Sequence, residues 1–201
     1  MKRILFVLAL MISATAMMAQ MQHFSFKGIP IDGTLNEYTN NLLRTGCTRI
    51  GEMQPGMSVL QGEVAGFKNC IIYVRTPQSY DRVCKVYVKL TENKEHNQLA
   101  EDFSIVKNLL DEKYGTPKYY NGCDYNTDKS DDVVYDHKQT RMMGVTIGSI
   151  LTRCYTYSTD LGCIRLFYSN NREYEGGAFL LLEYVDYNNT KFVRKAVIGE
   201  L

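Results

Sequence analysis

The chain has 201 residues, with 23 Lys and Arg against 22 Asp and Glu, a formal charge of +1, and 45% apolar residues. That apolar content excludes intrinsic disorder and is enough for one good-sized core, since domains commonly run about 100–200 residues. A near-neutral chain without a basic run lacks the electrostatic footprint of a nucleic-acid binder or an anionic-membrane binder.

Met1 to Ala19 has the layout of a secretory signal peptide. Lys2 and Arg3 give a positive start, Ile4 to Ile12 is almost wholly apolar, and small residues follow at Ser13, Ala14, Thr15, Ala16 and Ala19. Cleavage after Ala16 satisfies the small-x-small rule. Cleavage after Ala19 is favoured because the apolar run reaches Met18. No cysteine precedes Cys47, so none could carry a lipid at the cut, and no later segment approaches the ~20 apolar residues of a membrane span. Residues 1–19 are therefore expected to be a leader. Residues 20–201 are expected to be a single α+β domain, released in soluble form to the periplasm or outside the cell. Losing Lys2 and Arg3 turns the formal +1 into about −1. No internal repeat, Pro-rich linker or low-complexity tract is visible.

His23 to Lys27 reads as a first short strand that turns at Gly28-Ile29-Pro30. Thr34 and Glu37 then form a capping box that opens a helix over Thr34–Thr45, with Leu35, Tyr38 and Leu42 on one face and Gly46 at its end. Four short strands follow, Cys47–Met53, Met57–Val64, Asn69–Arg75 and Val83–Leu90, separated by Pro55-Gly56, Ala65-Gly66 and Pro77-Gln78-Ser79. Alternation puts Cys70, Ile72 and Val74 on the core side with Cys84, Val86 and Val88, while Arg75, Lys85 and Lys89 point the other way.

Leu99, Phe103, Val106, Leu110 and Tyr114 make the apolar stripe of a second helix, Asn97–Tyr114, ended by Gly115 and Pro117 and suited to cover the sheet. Tyr119–Asp132 reads as a polar loop, and Val133–Ile150 is ambiguous between strand and helix. A hairpin of Arg153–Tyr157 and Cys163–Tyr168 turns at Ser158-Thr159-Asp160, with Tyr155, Tyr157, Ile164, Leu166 and Tyr168 on its apolar side. Ala178–Tyr187 is a last strand with Leu180, Leu182 and Tyr184 facing in, and Asn188-Asn189 turns the chain into a segment of unassigned type. The expected architecture is a mainly antiparallel sheet with two amphipathic helices packed on one face.

Six cysteines (Cys47, Cys70, Cys84, Cys123, Cys154, Cys163) lie beyond the leader. An oxidising compartment permits bridges, and a mixture of buried thiols and one or two bridges is equally open. If the hairpin loop centres between Ser158 and Thr159, Cys154 and Cys163 fall opposite one another and form the best disulfide candidate.

Phe26-Lys27-Gly28-Ile29-Pro30-Ile31-Asp32-Gly33-Thr34, Lys113-Tyr114-Gly115-Thr116-Pro117 and Glu183-Tyr184-Val185-Asp186-Tyr187-Asn188-Asn189 are landmarks along most of the exported part. With them the chain resembles the short exported proteins of Bacteroidales bacteria. The resemblance implies a Gram-negative source. That family has no assigned activity, so no functional residue carries over.

Catalytic signatures such as G-x-S-x-G, H-E-x-x-H, G-x-x-x-x-G-K-[ST] and G-x-G-x-x-G do not occur, and Gly144–Ser149 has glycines without a phosphate-binding lysine. Oxygen-bearing residues recur at every second position from Asp124 to Asp132. This suits a hard-cation loop, yet Lys129 stands where the sharp turn needs glycine and Tyr135 where the closing Glu belongs. A solvated loop is the alternative. His23, His96 and His137 are the histidines available for a Cys–His pair, and the carboxylate pairs Glu101-Asp102, Asp111-Glu112 and Asp131-Asp132 suit solvated surface. Among 15 tyrosines, Tyr119, Tyr120 and Tyr125 border the polar loop as candidates for an exposed binding face.

The pattern favours a non-enzymatic binding or interaction module, with an unknown protein or small ligand of the cell envelope as partner and no cofactor. A hydrolase with dispersed catalytic residues, centred on His96 or His137, is the alternative. An enzyme would show converging perturbed groups in a cleft, whereas a binder would show an exposed apolar or tyrosine-lined patch.

Overall fold

Thr34 starts the first helix as its spacing predicts. Its Oγ accepts from Glu37 N at 3.2 Å, and Glu37 Oε2 accepts in return from Thr34 N at 3.0 Å. In a computed structural model that describes residues 22–51, 55–77, 80–92, 96–121, 153–169 and 178–199, this helix is α1 (Leu35–Leu43). It follows a small hairpin of β1 (Ser25–Phe26) and β2 (Ile29–Pro30).

The remaining strands are β3 (Thr48–Arg49), β4 (Met57–Val64), β5 (Phe67–Arg75), β6 (Lys85–Glu92), β7 (Lys118–Asn121), β8 (Arg153–Ser158), β9 (Gly162–Ser169) and β10 (Phe179–Asp186). They form one antiparallel sheet in the order β3-β4-β5-β6-β10-β9-β8-β7. Helix α2 (His96–Tyr114) lies between β6 and β7, and α3 (Tyr187–Gly199) follows β10. The α+β class with a mainly antiparallel sheet is thus observed. Among the described residues three helices stand where two were expected.

Among the described residues, α1 precedes β3–β6 and α2 precedes β7–β10, and the sheet places these two sets of strands as mirror lists about the β6–β10 seam. Lys85 opens β6 as Phe179 opens β10, and Arg75 closes β5 as Ser169 closes β9. Val88 and Leu182, each the fourth residue of its strand, pair with one another across that seam.

On one face, Leu60, Ile72, Val74, Val86, Val88, Leu166, Leu180 and Leu182 form the core with Leu35, Tyr38 and Leu42 of α1 and Leu99, Val106 and Leu110 of α2. These are the stripes and alternations predicted above, and they bury because an uncovered sheet face would leave that apolar area in water. Phe24 packs on the same core. A Cβ at Gly162 would stand 2.8 Å from the Phe24 ring, so only glycine leaves room for it. The second face is also withdrawn from solvent. Tyr87, Cys154, Phe167, Phe179 and Leu181 cluster there. β9 and β10 are therefore buried on both sides, which their apolar runs reflect.

Several boundaries differ from the sequence expectation. Tyr119 belongs to β7 rather than to a loop, and β3 is two residues long instead of seven. Asn188 and Asn189 open α3 instead of turning the chain, because Asp186 caps that helix by accepting from Asn189 N at 2.7 Å. The Val133–Ile150 stretch lies outside the described residues.

The β8–β9 register corrects the disulfide expectation. Cys154 faces Phe167 and Cys163 faces Ser158, and both cysteines are buried and in no disulfide. Cys154 lies four residues before Ser158, so the two cysteines sit roughly 13 Å apart along the strand, well beyond bridging range. The turn is centred two residues later than assumed, held by Thr159 Oγ, which accepts from Leu161 N at 3.3 Å and Gly162 N at 3.2 Å. Alkylation of the unfolded protein without reductant is expected to label both Cys154 and Cys163. Protection of the pair that reductant removes would overturn this register.

The β4–β5 turn gives a second test. Ala65 and Gly66 both have positive φ, 51° and 84°, as a two-residue hairpin loop requires, and the former is unfavourable for a residue with a Cβ. Ala65→Gly is expected to leave the fold unchanged and raise its stability by about 1 kcal/mol in urea titration.

Candidate functional site

Three polar or aromatic groupings stand out, and they differ in what they leave available. The first is a charge row on the second sheet face. Tyr87, Glu183, Arg165 and Thr156 are successive register partners on β6, β10, β9 and β8. Glu183 is 1% exposed and Arg165 2%. Arg165 donates to Glu183 Oε2 at 2.9 Å, while Lys85 Nζ lies 3.3 Å from Oε1. Burial alone would push the Glu183 carboxyl up. The Lys85 and Arg165 charges, with hydrogen bonds from Arg165 and Tyr87, outweigh it and bring the carboxyl down to about 2. A carboxylate held ionised by two cations is a lock across three strands, not a proton donor or acceptor.

The second grouping ties the first described residues to the last helix. His23 Nδ1 lies 3.2 Å from Asp186 Oδ1, and its Nε2 lies 3.5 Å from Asp32 Oδ2. Asp186 is fully buried and also accepts from Phe24 N at 2.7 Å. Buried Asn189 donates from one amide nitrogen to Ile31 O, Val83 O and Asp32 Oδ1 at 2.8–3.0 Å. Burial opposes ionisation of Asp32. Hydrogen bonds from Gly33 N and Asn189, and the His23 and Arg82 charges, still hold it below the usual carboxylate range. Both imidazole nitrogens of His23 face carboxylates, so neither is presented to a substrate. This constellation is a staple between chain segments.

Thiols behave as core residues. Burial pushes Cys84 up to about 11 and Cys154 up to about 12, against a smaller opposing pull from Lys85 and Arg165 respectively. Burial likewise raises Cys70. Among the described residues, no group of three or more His, Cys, Asp or Glu is arranged to hold a metal ion. The Asp124–Asp132 loop, Tyr125, Cys123, His137 and Gly144–Ser149 lie outside the described residues, as does the Ala19 cleavage point. His96 opens α2.

The third grouping faces solvent. On the edge strand, Tyr119 is 49% exposed and its ring lies 5.0 Å from that of Tyr155 on β8. Phe103 of α2 continues the series, 5.4 Å from Tyr155 and 4.7 Å from Tyr168. Beside the ladder, Lys107 stands 5.5 Å over the Tyr155 ring and pairs with Asp111 at 2.6 Å. The Lys107 hydrogen bond, joined by one from Tyr157, lowers the Asp111 pKa although partial burial opposes it. The sequence signal for this surface was the Tyr119-Tyr120 pair. It was found, though assigned to a loop rather than to the sheet edge.

Compared with known proteins, the chain matches no family model, no curated protein and no solved structure. Among the described residues no helix is long and apolar enough to cross a membrane.

The charge row gives a pH test. The Glu183 carboxyl lies below its ordinary 4.5 only when folded, so its stabilisation is complete above that value and is lost as pH falls toward about 2. Glu183→Gln is expected to cost about 3–5 kcal/mol at pH 7. Its stability should also lose much of the wild-type decline between about pH 5 and pH 3 in urea titrations. An acid limb unchanged by the substitution would assign that decline to other groups.

Proposed function

We propose that this protein is a non-enzymatic binding module of the cell envelope, exported by its leader, and that the ladder Tyr119–Tyr155–Phe103 is its contact surface. The observation that carries the reading is the half-exposed ring of Tyr119, which lies against Tyr155 in an aromatic series. Tyrosine offers large, rigid contact area with a polar tip and loses little side-chain entropy on binding. Stacking on Tyr155 already restricts the Tyr119 side chain, so part of that cost is met before a partner arrives. Lys107, held over Tyr155 and paired to Asp111, adds a polar rim of fixed geometry. Two facts support binding over hydrolysis. Glu183 is fixed as an anion by two cations, and both nitrogens of His23 face carboxylates.

The test is capture from the organism's own envelope by the tagged, leader-free protein, followed by mass spectrometry. A stoichiometric partner is expected whose recovery falls about tenfold or more with Tyr119→Ala, as for a loss of about 1.4 kcal/mol or more at an aromatic anchor. Recovery should persist with Lys68→Ala, at an exposed site on β5. Equal recovery by the wild type and Tyr119→Ala would remove the ladder from the interface.

A further inference from the structure

The outer face of α3 carries charge of one sign. Tyr187–Gly199 contains no Asp or Glu, and Lys191, Arg194 and Lys195 are all exposed. Positions three and four apart lie about 5–6 Å from one another on a helix, so the three cations share one stripe. Whole-chain charge hides it, because the exported part carries a formal charge near −1. Beside the stripe, next to Lys191 and three residues before Lys195, sits Phe192, 48% exposed. Its ring is held from two sides. The Arg82 guanidinium lies 4.9 Å from its centroid, and Tyr80 meets it edge-on at 6.5 Å. Arg82 is anchored in turn, 3.7 Å from Asp32 Oδ1 and 3.4 Å from Asn189 Oδ1.

We propose that this face is a second interaction surface and that its partner is an acidic protein segment bearing an apolar residue. Carboxylates of the segment face Lys191 and Lys195, and the apolar side chain packs on the exposed part of Phe192. Aromatic and arginine side chains held in place are the composition of binding hot spots. The fixed ring decides between a protein and a membrane. A residue that inserts into lipid must reach past its neighbours, whereas Phe192 lies against Arg82 and Tyr80. Asn189 on another side of α3 is buried and donates to Ile31 O and Val83 O, so that side is turned to the protein. This surface is separate from the tyrosine ladder and does not depend on it.

Fluorescence anisotropy with the leader-free protein and a labelled Glu-Glu-Leu-Glu-Glu peptide tests the proposal. Binding is expected to weaken as salt rises from about 0.05 to about 0.5 M. It should weaken about tenfold or more in Lys191→Glu/Lys195→Glu, given two reversed charge contacts, and also in Phe192→Ala. It should be unchanged in Lys68→Glu and in Tyr119→Ala. Circular dichroism and urea titration confirm that the variants fold, since every substituted side chain is exposed. Absence of peptide binding, equal loss in Lys68→Glu, or binding to phosphatidylglycerol vesicles without peptide binding would each overturn it.

Discussion

The pairing of β6 with β10 is the constraint on which the rest depends. Each side of the seam brings four strands, and neither side alone could cover the inner edge it presents there, since an uncovered central edge exposes a row of backbone donors and acceptors. Joining the two edges closes both. The seam places Val88 against Leu182, and both belong to the core that residues of α1 and α2 join. On the other face, Glu183 reaches Lys85 across that same seam and Arg165 on the next strand. Apolar pairing sets the contact, and the charge row restricts the register. A slip along the seam would strand a buried carboxylate without its cations, which is costly in a low-dielectric site.

The staple at the end of the sheet follows from the same seam. Asp186, the last residue of β10, caps α3 and receives both His23 and Phe24 N. Position at a strand end fixes the carboxylate, and the carboxylate then fixes where the first described segment and the last helix meet. Polar groups that look catalytic on a residue list thus act as joints. Among the described residues, the aromatic ladder beside α2 and the basic face of α3 are the surfaces proposed for contact with a partner.

Much of the fold was legible in the sequence. The Thr34–Glu37 capping box, the α2 stripe and the strand alternations each depend on neighbours within a few residues, and local rules read such neighbours well. The hairpin at Cys154 and Cys163 shows the limit. Face assignments survived there because the register error was an even number of residues, which leaves every side chain on its own side. Partners did not survive, since a turn displaced by two residues moves every partner by four. Alternation put Glu183 on the side of its strand opposite Leu182 and Tyr184, yet the cations that hold it there lie on β6 and β9, far away in sequence. The basic stripe of α3 escaped for another reason. Lys191-Phe192-Val193-Arg194-Lys195 becomes a stripe only once the segment is known to be helical.

Native-state hydrogen exchange measured by mass spectrometry tests the central claim, that the strands on either side of the seam are one cooperative sheet joined at β6–β10. The backbone amides of Val86, Val88, Leu180 and Leu182 are expected to be the slowest in the chain and to exchange together, at the free energy of global unfolding. Exchange of β6 and β10 at clearly different free energies, with one half opening while the other stays protected, would contradict the account.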